Sequence, residues 1–160
     1  MATEQARATI GRRLREPVQL PVRWDCNGQE LTGVDSVDGM LKGGLIGESL
    51  RSGLNLDDVP LTVHRIERIG ARDPVGGQPG IWTLVTFTAD EDSAEVIADR
   101  FSAALDGPGW YIDFHTDKEV FVVYPNRVFR YAKGDRIGRA AAADYGRAGG
   151  VPDSQLDWDE

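Results

Sequence analysis

Between Trp110 and Tyr131 the chain reads W-Y-I-D-F-H-T-D-K-E-V-F-V-V-Y-P-N-R-V-F-R-Y. Runs of β-branched and aromatic residues, separated by two turn signals, predict three antiparallel strands. Pro125 presets φ at the second turn position, and Asn126 tolerates the left-handed third. Pairing Tyr124 with Arg127 sets Val123 opposite Val128 and Phe121 opposite Arg130. A second turn over 116–119 sets His115 opposite Val120 and Phe114 opposite Phe121.

Side chains alternate across a sheet, so this register sorts them into two faces. The first holds Trp110, Ile112, Phe114, Phe121, Val123 and Val128, and reads as core. The second holds Tyr111, Asp113, His115, Val120, Val122, Tyr124, Phe129 and Tyr131. A slip of one residue in either turn would exchange the faces. The second face carries a carboxylate and an imidazole among tyrosines. It is therefore either wet, or covered with its polar groups paired.

Working outward, 90–105 predicts a helix whose buried side is Ala94, Ile97, Ala98, Phe101, Ala104 and Leu105, with acidic residues at its N-terminus. A second helix is predicted over 135–148, with Asp135 as N-cap and Gly149-Gly150 as the stop. Its expected buried stripe is Ile137, Ala140, Ala141, Tyr145 and Ala148, which leaves Arg136, Arg139 and Arg147 outside. Leu156 and Trp158 give the tail two apolar anchors, so it should dock.

Upstream, 61–69 and 81–88 read as two strands joined by the Gly- and Pro-rich loop 70–80, with a bulge before Ile66. The stretch 34–56 has helical leucines interrupted by five glycines, which predicts two short helical pieces at 36–42 and 47–52. Residues 17–31 alternate around Asn27-Gly28 and read as a hairpin; 1–16 reads as a flexible or helical arm. The expected whole is an α+β domain over 17–160. It has a mainly antiparallel sheet of five to seven strands, two principal helices and, as one arrangement, a ferredoxin-like core.

A net charge of −8 opposes phosphate backbones and anionic lipid surfaces, so no nucleic acid and no membrane is expected as a partner. There is no apolar run long enough to span a bilayer, and no apolar block follows the N-terminal arginines, which points to the cytoplasm. Cys26 is the single thiol, which rules out internal disulfides and multi-thiolate zinc sites. No cofactor or metal is expected. The two histidines lack ligand spacing, and Asp113 to Asp117 lacks the glycine and bidentate Glu of a calcium loop. The glycine-rich 42–49 has its lysine on the wrong side for a phosphate loop.

Two constellations remain. Asp113 and His115 share a face beside Tyr111 and Tyr124, the minimum for general acid–base chemistry, and Cys26 is the one thiol nucleophile that could join them. The plainer reading is a hydrogen-bonded polar patch. The other constellation joins Tyr111, Tyr124, Phe129 and Tyr131 to Arg127, Arg130, Arg136 and Arg139, a candidate surface for a protein partner or a homo-oligomer. Its plainer reading is a solvated helix face with local ion pairs.

Finally, F-H-T-D-K-E-V-F-V-V-Y-P-N-R-V-F-R-Y-A-K-G-D-R-I-G-R-A, then G-V-P-D-S-Q-L-D-W, resembles uncharacterised proteins of high-GC Gram-positive bacteria; the likeness reaches back to W-D-C-N-G-Q-E-L-T. The resemblance implies a stand-alone cytosolic protein and carries over no functional residue. The expected function is non-catalytic binding or assembly through protein–protein contacts. The alternative is a small hydrolase-like enzyme using Asp113 and His115.

Overall fold

The computed structural model describes residues 39–158. The expected arm at 1–16, the hairpin at 17–31 and Cys26 lie outside them. The described residues fall in one compact unit. Its strands are β1 (Met40–Ile46), β2 (Thr62–Gly70), β3 (Ile81–Asp90), β4 (Ile112–His115), β5 (Glu119–Tyr124) and β6 (Arg127–Ala132). Two helices join them, α1 (Ala94–Ala104) and α2 (Arg136–Ala148). The strands form one antiparallel sheet in the order β2-β3-β1-β4-β5-β6.

The register of β4, β5 and β6 is the expected one, pair for pair, from Phe114 opposite Phe121 to Tyr124 opposite Arg127. Asn126 sits at φ 59° in the turn. At the other turn the Thr116 hydroxyl accepts from the Lys118 and Glu119 amides at 3.2 and 3.0 Å. The two faces therefore sort as the alternation predicts.

The first face is core. Phe114 stacks on its cross-strand neighbour Phe121 at 4.8 Å, and Phe87 and Phe101 meet edge to face at 5.5 Å. α1 covers this face with the six predicted residues, all buried. It starts later than predicted, because Asp90 accepts from the Asp92 amide and a single 3-10 turn at Glu91–Ser93 precedes it.

Two expectations fail. The stretch expected to hold helices at 36–42 and 47–52 contains strand β1 and one 3-10 turn (Gly47–Ser49). β1 lies between β3 and β4, and its glycines serve close packing rather than breaking a helix. A Cβ on Gly43 would lie 2.4 Å from Phe114 Cβ, 2.7 Å from the Asp113 carbonyl oxygen and 2.9 Å from Phe87 Cζ. The ferredoxin-like arrangement takes 17–24, outside the described residues, as its first strand and 36–52 as its first helix; over 40–49 the structure has β1 and the 3-10 turn instead.

The second correction concerns α2. Asp135 caps it as expected, accepting from the Ile137 and Gly138 amides at 3.0 and 3.1 Å. The buried side, however, is Ala142, Ala143 and Gly146, while Ile137 is 84 % exposed. The sheet beneath is filled with tyrosines, so the helix meets it through its smallest residues. A Cβ on Gly138 would stand 2.5 Å from Tyr131 Cβ. The bulge of β2 is present, between Val63 and Arg65. The tail docks as expected, with Leu156 and Trp158 buried.

Candidate functional site

The second face of the sheet is divided. Over β5 and β6 it is closed by α2 and the tail. The Tyr124 hydroxyl donates to the Ala142 carbonyl at 2.9 Å, and the Trp158 indole N–H donates to the Tyr131 hydroxyl at 2.6 Å. Tyr124 also contacts the rings of Tyr111, Phe129 and Tyr145. Burial pushes the Tyr124 phenol well above its ordinary range, with Tyr131 and Asp113 adding to it. This corrects the expected partner surface: Tyr124 and Tyr131 are interior residues, and Phe129 is half-buried beneath Tyr145.

The arginines expected beside them are dispersed. Arg130 projects to the other face, where it grips Glu119 at 2.9 and 2.7 Å and reaches Glu95. Arg127 lies 5.1 Å over Phe129, and Arg139 lies 5.4 Å over Trp158. Arg147 is held by Asp144 at 2.7 Å and Asp153 at 2.5 Å. Arg136 is exposed and shares a shallow surface with Arg139 and Arg147. Arg136, Arg139 and Arg147 thus share one side of α2, while Arg127 and Arg130 are engaged apart from them.

Where α2 stops, the same face opens into a cleft of about 260 Å³ beside the tail. Gly44, Ile46, Leu84 and Ile69 line its sheet side, and Trp82, Trp110 and Tyr111 its end. Trp82 and Trp110 meet at 5.5 Å. The polar lining is Asp113, Ser154, Gln155 and the ion pair of Arg72 with Asp157 at 2.6 Å. That pair is well exposed at both ends, so it contributes little to stability.

The tail wall is fixed by firmer bonds. The Gln155 amide donates to the Arg72 and Asp73 carbonyls at 2.6 and 3.0 Å, and the Tyr111 hydroxyl donates to the Gln155 carbonyl. On the far side, Gln78 ties the 71–80 loop to Gly109 at 2.8 Å. Burial holds the Tyr111 phenol well above its ordinary range, with the charges of Asp113 and Asp157 next and Arg72 opposing them. Tyr111 is thus a neutral donor throughout the physiological range.

Asp113 and Tyr111 therefore lie in the cleft. His115 lies two residues further along β4, half-buried opposite Lys42 of β1, and is not among the described lining residues. Among the described residues no group of three His, Cys, Asp or Glu side chains is arranged to hold a metal ion, and no helix is long and apolar enough to cross a membrane. The sequence reading missed Trp82, Leu84, Gly44 and Arg72 as partners of Asp113. Only the Gly43-Gly44 pair gave a signal, since paired glycines in a strand mark a close approach.

Comparison with protein-family models, with curated proteins and with solved structures finds no match.

Proposed function

We propose that this chain is a non-catalytic binding protein that acts through protein–protein contacts, its cleft receiving one side chain of a partner. The supporting observation is the cleft itself: apolar and aromatic walls, a small set of polar groups, and a tail wall pinned by Gln155 and Tyr111. At about 260 Å³ it falls below the roughly 300–1,000 Å³ usual for small-molecule sites. A single inserted anchor suits that volume, and buried aromatic pockets are where interfaces concentrate their energy.

Gly44 supplies the test. A Cβ there would meet only Leu84 Cδ1 at 3.6 Å and the Val85 carbonyl at 3.9 Å, both ordinary contacts, and Gly44→Val adds two further methyl groups to the cleft wall. A displayed peptide library panned on the full chain should yield sequences sharing one anchor residue. Their binding should be lost in Gly44→Val while the melting curve stays intact. Failure to enrich such a set, or unchanged binding by Gly44→Val, would falsify the reading.

The enzyme alternative rests on Asp113 lining the cleft, with His115 as its acid–base partner. It predicts hydrolysis of simple activated esters that is lost in both Asp113→Asn and His115→Gln.

A further inference from the structure

β2 forms one edge of the sheet among the described residues, and from Arg65 onward its side chains alternate between half-buried and exposed. Ile66 is 68 % exposed and Val63 49 %, both on the face that carries the first core. Nine residues is long for an edge, and exposed edges of this kind are templates for further strands. Edge strands are commonly blunted by charge and by bulges, and β2 has both: Arg65, Glu67 and Arg68, and a bulge between Val63 and Arg65.

The charges on β2 are, however, of both signs, and they are placed symmetrically. Arg65 and Glu67 flank Ile66, and their side chains meet each other at 2.7 Å while remaining more than a third exposed. Consider a second β2 laid antiparallel along this edge with the two-fold axis at Ile66. Arg65 then stands opposite Glu67 of the other copy, Glu67 opposite its Arg65, and the two Ile66 side chains meet. Moving the axis to Glu67 or to Arg65 sets two like charges opposite each other. Only the Ile66 register makes both flanking pairs attractive. The bulge lies outside these three central residues.

We infer that a second copy of this chain docks on the β2 edge, pairing antiparallel about Ile66 and joining the two sheets into one. The pairing centres on Ile66, and only the end of β2 at Ile69 and Gly70 borders the cleft, so the Ile66 and Gly44 variants test the two readings apart.

Sedimentation velocity of the full chain over a rising concentration series tests it. The expected result is a monomer–dimer equilibrium, with slowed amide exchange in β2 at the dimer end. Ile66→Lys should give a monomer throughout, and Ile66 is exposed enough for that variant to fold. Arg65→Glu and Glu67→Arg should each weaken the dimer about tenfold, since like charges then face across the axis. The double variant Arg65→Glu/Glu67→Arg should restore it. A monomer at every concentration, or a dimer indifferent to Ile66→Lys, overturns the inference. So does a double variant no better than the singles. Slowed β2 exchange seen only with added peptide would mean that the edge takes a foreign strand instead.

Discussion

Gly146 of α2 lies directly over the hydroxyl of Tyr124: a Cβ at that position would be 2.5 Å from the phenol oxygen and 2.9 Å from Leu156 Cδ2. Gly146→Ala should therefore destabilise the protein by about 1–3 kcal/mol, although alanine is the better helix former by about 1 kcal/mol. Tyr124→Phe alone should cost about 1 kcal/mol through its lost bond to Ala142. The double variant should be more stable than the sum of the two, because removing the hydroxyl relieves the overlap. Urea unfolding of all four proteins gives the coupling, and strict additivity would contradict this packing.

Gly43→Ala should be worse. Its new methyl would meet the Asp113 carbonyl and the base of Phe114, neither of which is the free end of a flexible side chain. A loss above about 3 kcal/mol is expected, enough to lower the melting temperature by at least about 6–12 degrees in a chain of this size. A melting temperature within a few degrees of the parent would mean that β1 is not gripped as described.

Trp158 joins the tail to the sheet by three different contacts: its N–H on Tyr131, its ring edge to face with Tyr111 at 5.3 Å, and Arg139 above it. Trp158→Ala should cost about 3–5 kcal/mol. It should also free the cleft wall, so that exchange of the amides around Gln155 rises before global unfolding. Unchanged protection there would separate the tail from this anchor.

Glu48 supplies a pH dependence. Burial pushes its carboxyl up, but the Thr83 amide at 2.6 Å and hydroxyl at 2.8 Å, with Arg68 at 2.9 Å, outweigh that and leave it below the ordinary range. The folded state thus favours the ionised form. Its contribution is complete above about pH 5 and is lost as the pH falls through the lowered folded value. Glu48→Gln should flatten the acid limb of the stability curve and leave its shape near neutrality alone. An unchanged acid limb would exclude Glu48 as a contributor.

The strands of 110–131 could be read in full because two local signals act together. Alternation assigns the faces, and the Pro125-Asn126 and Thr116 turns fix the register; every side chain then follows. α1 was equally legible because Ile97, Phe101 and Leu105 contrast strongly with their neighbours. α2 offered no such contrast, since alanines lie on both of its sides. Its orientation is decided by the volume of Tyr131 and Tyr124, which leave no room for a Cβ at Gly138 and Gly146, with Ala142 and Ala143 buried beside them. β1 was misread for a related reason. Gly43 breaks a helical pattern locally, but it is required by Phe87 and Phe114, far away in sequence. The cleft draws on Gly44, Trp82, Tyr111 and Gln155, and no local pattern connects four such positions.

The strand order has a consequence for how the chain reaches this state. β2 with β3, and β4 with β5 and β6, pair with neighbours in sequence, so their loops close at small entropic cost. β1 must reach from Met40 to Asp90 on one side and from Gly44 to Asp113 on the other. Contacts of such separation govern folding rates, so the entry of β1 is expected to be the late, slow event. Pulse-labelled exchange checks this: the amides of Leu41 and Leu45 should gain protection after those of β5 and β6, and simultaneous protection would refute it. On that order β3 and β4 would each present a raw edge until β1 seats between them.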